Sequence, residues 1–466
     1  MNTIWQTLTL HNIQSLQWRQ GSLFWRLLAF LRQWRQGSWL LQWHQEIGAV
    51  LLTAVFALAP FVPNSLTGLL AVACGGFWLL LTLSDELRPH RFSPIYLLVF
   101  LFWGVSVIAT VLSPVKMAAA SGLVKMTLYV FVFVLAERVV RSPRLRSWLI
   151  TVYLHTAVIV SIYGVRQKFF GAEALATWVD PNSTTADEVR VYSYLGNPNL
   201  LAAYILPAII FSLCALVVWQ HWGAKLLAAT MLMVHCACMY WTGCRGAWIG
   251  LVLAIFVMAM MALYWYLPYL PRFWQIWIFP LTIGTIVGAV ALGILFVTPL
   301  RNRALSVFAG REDSSNNFRI NVWEAVQTMI QKRPILGIGP GNVAFNQIYP
   351  LFQKPNYTAL SAYSIYLETL VETGAVGFAS LMWLIALIFQ QTWVQFQKLR
   401  QLQSQEVWWL VGAIASIIGM LIHGFVDTVW YRPEVNTLWW LTVAIIASYY
   451  RQTTAVNTAG SPSAVD

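Results

Sequence analysis

Two arginines have the side chain and the surroundings expected of an anion site. Arg245 lies in the short segment Thr242-Gly243-Cys244-Arg245-Gly246, where small neighbours allow close backbone approach. Arg319 lies in a long hydrophilic stretch between apolar runs. A guanidinium group offers a planar fork of donors that matches phosphate or carboxylate oxygens. The pair therefore predicts an anion-binding site, with topology marking and a surface charge as the alternatives for Arg245 and Arg319 respectively.

Other polar residues are expected at the same membrane depth as the two arginines. Gln167 lies at the end of one apolar run, Asn197 and Asn199 flank Pro198 at the start of the next, and His423 lies near the end of a later one. We therefore add Gln167, Asn197, Asn199 and His423 to the predicted anion site. The alternatives are a helix cap at Asn197 and a hydrogen-bonded packing role for His423.

The elements that must position these residues are membrane helices. The chain of 466 residues is 59% hydrophobic and 10% charged, and it contains 25 Trp, too much apolar surface for one water-soluble core. We predict an all-α, polytopic integral membrane protein of about twelve transmembrane helices. The expected spans are residues 47–62, 66–83, 93–112, 117–136, 148–168, 199–219, 225–243, 247–266, 274–298, 366–390, 407–426 and 436–450.

The distribution of basic residues predicts the orientation, because Lys and Arg in short loops favour the cytoplasmic side. With the N-terminus inside, fifteen such residues fall on the inner side and four on the outer side. The inner set is Arg19, Arg26, Arg32, Arg35, Arg88, Arg91, Arg138, Arg141, Arg144, Arg146, Lys225, Arg272, Lys398, Arg400 and Arg451. The outer set is Lys116, Arg190, Arg245 and Arg432. Both termini are therefore expected in the cytoplasm, and the protein in the inner or plasma membrane.

This topology divides the chain into five segments. Residues 1–46 mix Trp, Leu and Arg and are predicted to form a cytoplasmic amphipathic segment. Residues 47–298 carry spans one to nine, and residues 299–362 form one large extracytoplasmic loop. Residues 363–450 carry spans ten to twelve, and residues 451–466 are expected to be a disordered cytoplasmic tail.

The sequence argues against several other classes of protein. Basic residues are spread over loops instead of forming one stripe, so the net charge of +12 does not indicate nucleic-acid binding. Cys236-Ala237-Cys238 lacks zinc-ligand spacing, and no metal or other cofactor is expected. The segment Gly337–Asn342 lacks the Lys-Ser or Lys-Thr of a nucleotide loop. It is predicted to be a tight reversal after a short helix that starts near Asn317 or Phe318, with Arg319 in its first turn.

Four motifs together resemble the signature of the O-antigen ligase and polymerase family. They are Phe318-Arg319-Ile320-Asn321-Val322-Trp323, then Arg333-Pro334, then Gly337-Ile338-Gly339-Pro340-Gly341-Asn342, and finally Tyr366-Leu367-Glu368-Thr369-Leu370-Val371-Glu372-Thr373-Gly374. The resemblance extends over roughly residues 95–450. It implies transfer of a lipid-linked glycan at the outer face of a membrane.

The resemblance also implies roles for individual residues. Arg245 and Arg319 match positions that hold the diphosphate of a polyprenyl-linked glycan, without a metal ion. The family's His-Asn pair is replaced here by Tyr363-Ser364, so Tyr363 occupies the catalytic position. An ordinary tyrosine pKa of ~10 leaves the phenol protonated near neutrality. The chain is thus either a metal-independent glycosyltransferase without the usual His, or a repurposed or inactive relative.

Two longer runs resemble a cyanobacterial branch of that family, which is named for inorganic carbon accumulation and described as a bicarbonate transporter. They are residues 193–202 and 308–319. This likeness implies bicarbonate accumulation or transport, directly or through a protein partner, as the alternative function. The expected partners are thus membrane lipid and either a polyprenyl-diphosphate-linked glycan or bicarbonate, with no nucleic acid.

Overall fold

The described part of the chain is built from helices. The computed structural model describes Arg35 and residues 37–85, 93–171 and 190–459, and no strand occurs within these ranges. A helical turn at Trp39–Gln42 precedes fifteen longer helices. These are α1 His44–Leu58, α2 Asn64–Ser84, α3 Pro94–Val111, α4 Lys116–Val139, α5 Pro143–Phe170, α6 Pro198–Val218, α7 Trp222–Thr242, α8 Arg245–Tyr266, α9 Arg272–Phe296, α10 Thr298–Phe308, α11 Ser314–Lys332, α12 Asn342–Ile348, α13 Ile365–Gln401, α14 Val407–His423 and α15 Pro433–Ala459.

Each of the twelve predicted spans coincides with one helix of this series. Within the described residues, nine helices, α2 to α9 and α13, are long and apolar enough to cross a membrane, whereas α1 and α14 are apolar but shorter. The chain is therefore an all-α polytopic membrane protein, as predicted. A total of twelve spans stays a prediction.

The helix bundle is organised around α6. In the most apolar 18-residue stretch of α6, 78% of the residues are buried, whereas 0% are buried in the corresponding stretch of α9. Helix α6 packs against α5, α7 and α14, and its buried residues lie on all sides. Because α9 is as apolar as the core helices yet has no buried residue, most of its surface faces lipid in a membrane protein.

A buried arginine joins three helices at the end of the bundle that carries the N-terminus of α5. The Arg146 side chain is 0% exposed, and its Nη1 donates to Glu406 Oε2 at 2.5 Å. Its Nε donates to Val140 O, and its guanidinium lies 4.0 Å from the ring centre of Tyr449. A guanidinium with these partners has its donors satisfied, which offsets the cost of burying its charge.

The predicted loop at residues 299–362 folds into a small helical layer with its own apolar core. Helices α10, α11 and α12 lie in it, and its core includes Val322, Val326, Met329, Phe345 and Tyr349. We call the end of the bundle beside this layer the loop face. The helix expected near Asn317 exists, but it begins at Ser314.

The position of Arg319 within that helix corrects one expectation. The Asp313 side chain caps α11 by accepting a hydrogen bond from Asn316 N at 2.9 Å. A helix that begins at Ser314 places Arg319 beyond the first turn. The macrodipole acts mainly within that turn, so the charge of Arg319 does not oppose the helix dipole.

Helix α13 is interrupted at Gly374. It has 37 residues, or about 55 Å at ~1.5 Å per residue, more than a bilayer core of ~30 Å requires. Gly374 has φ +66° and ψ −168°, and an added Cβ would lie 2.2 Å from the Ile335 carbonyl carbon. Ala375 N donates to Pro334 O across the break. Residues 365–373 therefore form a separate short helical piece at the loop face.

The tight reversal predicted at residues 337–342 is present against this interrupted helix. Gly337, Gly339 and Gly341 have φ of +66°, +101° and +97°, a region that glycine enters without steric cost. Ile338 N donates to Val371 O, and Gly339 N donates to Glu372 O. The glycine segment thus holds the first piece of α13 in place.

The two predicted terminal segments lie largely outside the described residues. Of the amphipathic segment 1–46, only Arg35 and residues 37–46 are described. Helix α15 continues to Ala459, past the expected boundary at residue 450, and residues 460–466 lie outside the described part.

Candidate functional site

Five parts of the chain meet at the loop face. They are the end of α5, the segment from Arg190 to the start of α6, the α7–α8 turn, helix α11 and the α14–α15 connection. Hydrogen bonds join them: Arg319 to Val426, Asn199 to Asp427, and Arg190 to the Thr242 carbonyl. The polar residues singled out in the sequence therefore belong to one connected region.

Arg245 is held by side chains of the loop layer. It is the first residue of α8, so its guanidinium reaches from the helix end towards residues 306–316. Its Nη1 donates to Ser306 Oγ at 2.7 Å and Asp313 Oδ2 at 3.1 Å, and its Nη2 donates to Asp313 Oδ1 at 2.9 Å. This two-point pairing is the geometry by which arginine recognises a carboxylate or phosphate.

The pairing adds Asp313, which the sequence analysis did not include, to the residues beside Arg245. Burial alone would raise the pKa of Asp313, but the hydrogen bonds from Arg245 and Asn316 outweigh it, and the pKa is lowered from its usual value. Asp313 is therefore ionised near neutrality and occupies the guanidinium fork. This contact could not be predicted from the sequence, because Asp313 and Arg245 are far apart in the chain and come together only when the loop folds.

Arg319 reaches the same region from helix α11. Its Nε donates to Val426 O at 2.7 Å, and its Nη1 donates to Ser315 Oγ at 2.7 Å. Among the described residues, no carboxylate lies within ion-pair distance of Arg319, although its charge adds to the stabilisation of ionised Asp313. The side chain is half-buried. Arg245 thus contacts the Asp313 carboxylate, whereas Arg319 influences it through charge without contacting it.

Tyr363 lies beside Arg319 in an unusual backbone conformation. Its φ is +49°, which for a bulky non-glycine residue costs on the order of 1–3 kcal/mol. Its ring meets that of Phe318 edge to face, with centroids 5.4 Å apart. Burial, and then the negative charge of Asp427, raise the pKa of Tyr363 above its usual value. The phenol therefore keeps its proton near neutrality, as its residue type suggests.

Two of the predicted anion ligands, Gln167 and Asn197, accept hydrogen bonds from backbone N–H groups. Gln167 Oε1 accepts hydrogen bonds from Tyr192 N at 3.0 Å and Ser193 N at 2.7 Å. Asn197 caps α6 by accepting from Asn199 N at 2.8 Å and Leu200 N at 3.4 Å. The capping alternative considered for Asn197 therefore describes its contacts.

Asn199 links two charged groups of the site. Its Oδ1 accepts from Arg190 Nη2 at 2.7 Å, and its Nδ2 donates to Asp427 Oδ2 at 2.5 Å. Asp427 Oδ1 also accepts from Thr428 N, which orients the α14–α15 connection. The motif around Pro198 identified Asn199 in the sequence. It could not identify Asp427 as a partner of Asn199, because the two residues are far apart in the chain.

His423 is fully buried behind the arginines. Its Nε2 lies 3.3 Å from Cys244 Sγ, whereas Nδ1 has no hydrogen-bond partner. Gly246 allows this packing, because a Cβ there would lie 2.6 Å from Val426 and 3.0 Å from the His423 ring. These contacts correspond to the packing alternative for His423. A direct contact with a bound anion would require the neighbouring residues to move.

The arrangement can neutralise an anion but offers no preformed metal site. Within the described ranges, no group of three or more His, Cys, Asp or Glu is placed to hold a metal ion. Arginine donors directed at one place can stabilise a polyanion, including charge that develops on a leaving group. The fold defines an integral membrane protein, and this region places Arg245 and Arg319 at its loop face.

Comparison with protein families supports a narrower class. Residues 228–382 match the family model described as O-Antigen ligase. The matched segment contains Arg245, Arg319 and Tyr363, whereas Gln167, Asn199 and His423 lie outside it. No curated protein matches the chain. The match supports an O-antigen-ligase-like membrane protein, and the likeness to the inorganic-carbon branch stays a prediction.

Proposed function

We propose that the protein transfers a glycan from a polyprenyl diphosphate to an acceptor, and that Arg245 and Arg319 bind the diphosphate. The observation that carries the proposal is that Arg245 pairs with Asp313, and that Arg319 on the neighbouring helix bonds Val426 and Ser315 close enough to influence the same carboxylate, inside the family-matched segment. Their donors come from separate elements, α8 and α11. A ligand that contacts both would therefore also hold the loop layer against the bundle.

In this reaction, the role of the two arginines is to stabilise the leaving group. In the transfer, the bond from the sugar's anomeric carbon to the diphosphate oxygen breaks, and a bond to an acceptor hydroxyl oxygen forms. Negative charge then grows on the departing lipid diphosphate. Donors fixed in place before the reaction stabilise such charge without reorganising at the moment of transfer.

Asp313 gives the proposed site a second feature. Its carboxylate occupies the Arg245 fork with the same two-point geometry that a phosphate would use. A diphosphate would displace this carboxylate from part of the fork, while Ser306 would continue to hold Nη1. Asp313 therefore acts as an internal competitor that keeps Arg245 oriented before the ligand arrives.

Tyr363 contributes a proton donor in place of the family's imidazole. A phenol with a raised pKa can donate a hydrogen bond to a substrate oxygen but does not accept the acceptor's proton near neutrality. The proposed reaction therefore needs another group to receive that proton. Glu368 and Glu372 follow Tyr363 on the first piece of α13, and one carboxylate of this pair would receive the proton of the acceptor hydroxyl.

The experiment measures glycan transfer by the purified protein in lipid nanodiscs supplied with a polyprenyl-diphosphate-linked glycan and an acceptor. Arg319→Ala and Arg245→Lys should each lower transfer at least tenfold, because Lys keeps the charge of Arg245 but loses the fork. Arg311→Ala is the matched control, since Arg311 lies in the same loop layer and its contacts with Glu324 are solvent-exposed.

A second readout addresses the bicarbonate alternative. The same variants should be scored for inorganic carbon accumulation in cells. Loss of carbon accumulation in Arg319→Ala, with no glycan transfer by the unmodified protein, would reject the proposed reaction in favour of bicarbonate handling. Loss of transfer with unchanged carbon accumulation would reject the bicarbonate alternative.

A further inference from the structure

A separate cavity lies beside the arginine site, lined by the first piece of α13 together with α4, α15 and the α14–α15 connection. Its volume is about 140 Å³. The lining combines aromatic side chains with two carboxylates, one amine and two amides. The residues that matter for its chemistry are Tyr129, Trp430, Trp439, Glu368, Glu372 and Asn436.

Several polar atoms of the lining residues have no hydrogen-bond partner. They are Glu368 Oε2, Asn436 Oδ1 and the Trp430 indole nitrogen. Glu368 is only 8% exposed. A buried polar atom without a partner costs about 1–3 kcal/mol, more when charged. These atoms are occluded, so a ligand with hydroxyl groups, or water, would reach them only after their side chains turn towards the cavity.

The two glutamates are positioned by the break in α13. Glu368 and Glu372 lie one helical turn apart on the piece that ends at Gly374, so their side chains project from the same face. The glycine segment holds this piece through Gly339 N and the Glu372 carbonyl. A discontinuous helix at membrane depth is tolerated where it lines a polar cavity.

Lys125 supplies the cation of the cavity. The sequence placed it inside span four, where a charge needs a partner or water. Its Nζ donates to Asn342 Oδ1 at 3.3 Å, and the side chain is exposed at the edge of the cavity. This polar edge argues against a lipid tail as the occupant, because acyl chains would leave the amine, amide and carboxylates unsatisfied.

The composition of the lining is that of a carbohydrate site. Carboxylates and amides hydrogen-bond sugar hydroxyls, and the C–H face of a sugar ring packs on an aromatic ring. An engineered cavity of about 150 Å³ in another protein accommodates benzene, so this space of about 140 Å³ holds the ring atoms of one pyranose, and the open edge at Lys125 leaves room for substituents on that side. A metal ion fits less well, since the described lining offers two carboxylates and no third anionic ligand.

We infer that this cavity binds one pyranose ring of a glycan, through hydrogen bonds from its hydroxyls to Glu368, Glu372 and Asn436 and through packing on the tryptophans. The inference rests on the proposed function and identifies where its sugar is held. Thr428 connects the two regions: it lines the cavity, accepts a hydrogen bond from Ser364 N, and follows Asp427 of the arginine region. The ring would therefore lie next to the diphosphate site.

Saturation-transfer NMR tests the inference, because it detects weak binding by the protein in nanodiscs. The probes are methyl α-glucoside and N-acetylglucosamine, with sodium chloride and calcium chloride titrations as cation arms. Glu368→Gln and Glu372→Gln should each reduce the sugar signal at least fivefold. Glu434→Gln is the matched control: Glu434 is also 8% exposed with an unpaired Oε2, but it does not line the cavity.

Each outcome decides the inference. Equal loss in the Glu434→Gln control, no saturation of either sugar, or sugar signal unchanged in both cavity variants would overturn it. A rise in melting temperature with millimolar calcium or sodium chloride that is lost in both cavity variants, with no sugar signal, would assign the cavity to a cation instead. A thermal melt on every variant separates lost binding from lost folding.

The inference and the proposed reaction fail in different ways. Arg245→Lys should leave the sugar signal intact, because Arg245 does not line the cavity. Sugar binding without any glycan transfer would refute the reaction and keep the subsite. Transfer that survives in Glu368→Gln and Glu372→Gln at the wild-type rate, with no sugar signal, would refute the subsite and keep the reaction. Binding of the free sugars together with stronger binding of a polyprenyl-linked sugar would assign the subsite to the donor glycan.

Discussion

Replacing Asp313 with Asn should strengthen binding of an anion at Arg245. Asn has nearly the same shape as Asp and caps helices about as well, so the hydrogen bond from Asn316 N to residue 313 should persist. Ser306 Oγ also continues to orient the guanidinium. The substitution therefore removes the competing charge and little else.

The expected size follows from the exposure of the pair. The side chains of Arg245 and Asp313 are 14% and 21% exposed. Two unit charges ~4 Å apart attract by about 4 kcal/mol at an effective dielectric constant of ~20. Ion pairs accessible to solvent retain only about 0.2–1 kcal/mol of net stability. Releasing the fork should thus improve anion affinity by about 1 kcal/mol, which is roughly fivefold.

Calorimetric titration of the nanodisc-embedded protein with inorganic pyrophosphate measures this change at fixed low salt. Asp313→Ala serves as a comparison that also loses the cap. An affinity that falls or stays constant in Asp313→Asn would refute the view that Asp313 and the anion compete for Arg245. So would the same gain in an Arg245→Ala background, where the fork is absent.

The pH dependence gives an internal check on the same pair. The folded pKa of Asp313 lies below its unfolded value of ~3.9. A lowered folded pKa means that the pair's contribution is present above the unfolded value and is lost only as the pH falls through the folded value. The difference in pyrophosphate affinity between wild type and Asp313→Asn should therefore stay constant from pH 8 to pH 5, after correction for pyrophosphate's own titration.

Three further predictions concern topology, the tyrosine position and the opposite end of the bundle. A cysteine introduced at the exposed Ser314, in a Cys236→Ser background, should react with an impermeant maleimide from the extracytoplasmic side of intact cells. Labelling only after lysis would show that the predicted orientation is wrong. Tyr363→His should preserve or raise glycan transfer, since imidazole titrates near neutrality, while Tyr349→His should not; a loss in Tyr363→His alone would show that the phenol itself is required. Arg146→Ala should destabilise the fold by about 3 kcal/mol, because it leaves Glu406 without its partner, and an unchanged thermal melting midpoint would contradict that value.

Some parts of the site were accessible from local sequence. The cap at Asn197 and the glycine reversal at residues 337–342 depend on residues close in the chain, so pattern and residue type predict them. The start of α11 was misplaced by a few residues, because Asp313 was not identified as its cap. The pairing of Asp313 with Arg245 could not be predicted, since it joins residues 68 positions apart.

The sequence by itself determined the membrane class, the approximate positions of the helices and the two arginines. Apolar runs of sufficient length have few other stable structures, because backbone groups in lipid must be hydrogen-bonded within the segment. Tertiary structure alone decided which charges meet. The packing of the helices buries His423 against Cys244, pairs Arg245 with Asp313 and places Glu368 in the lining of a cavity. These outcomes depend on how separate helices pack, and a charge on one helix carries no local record of its partner on another.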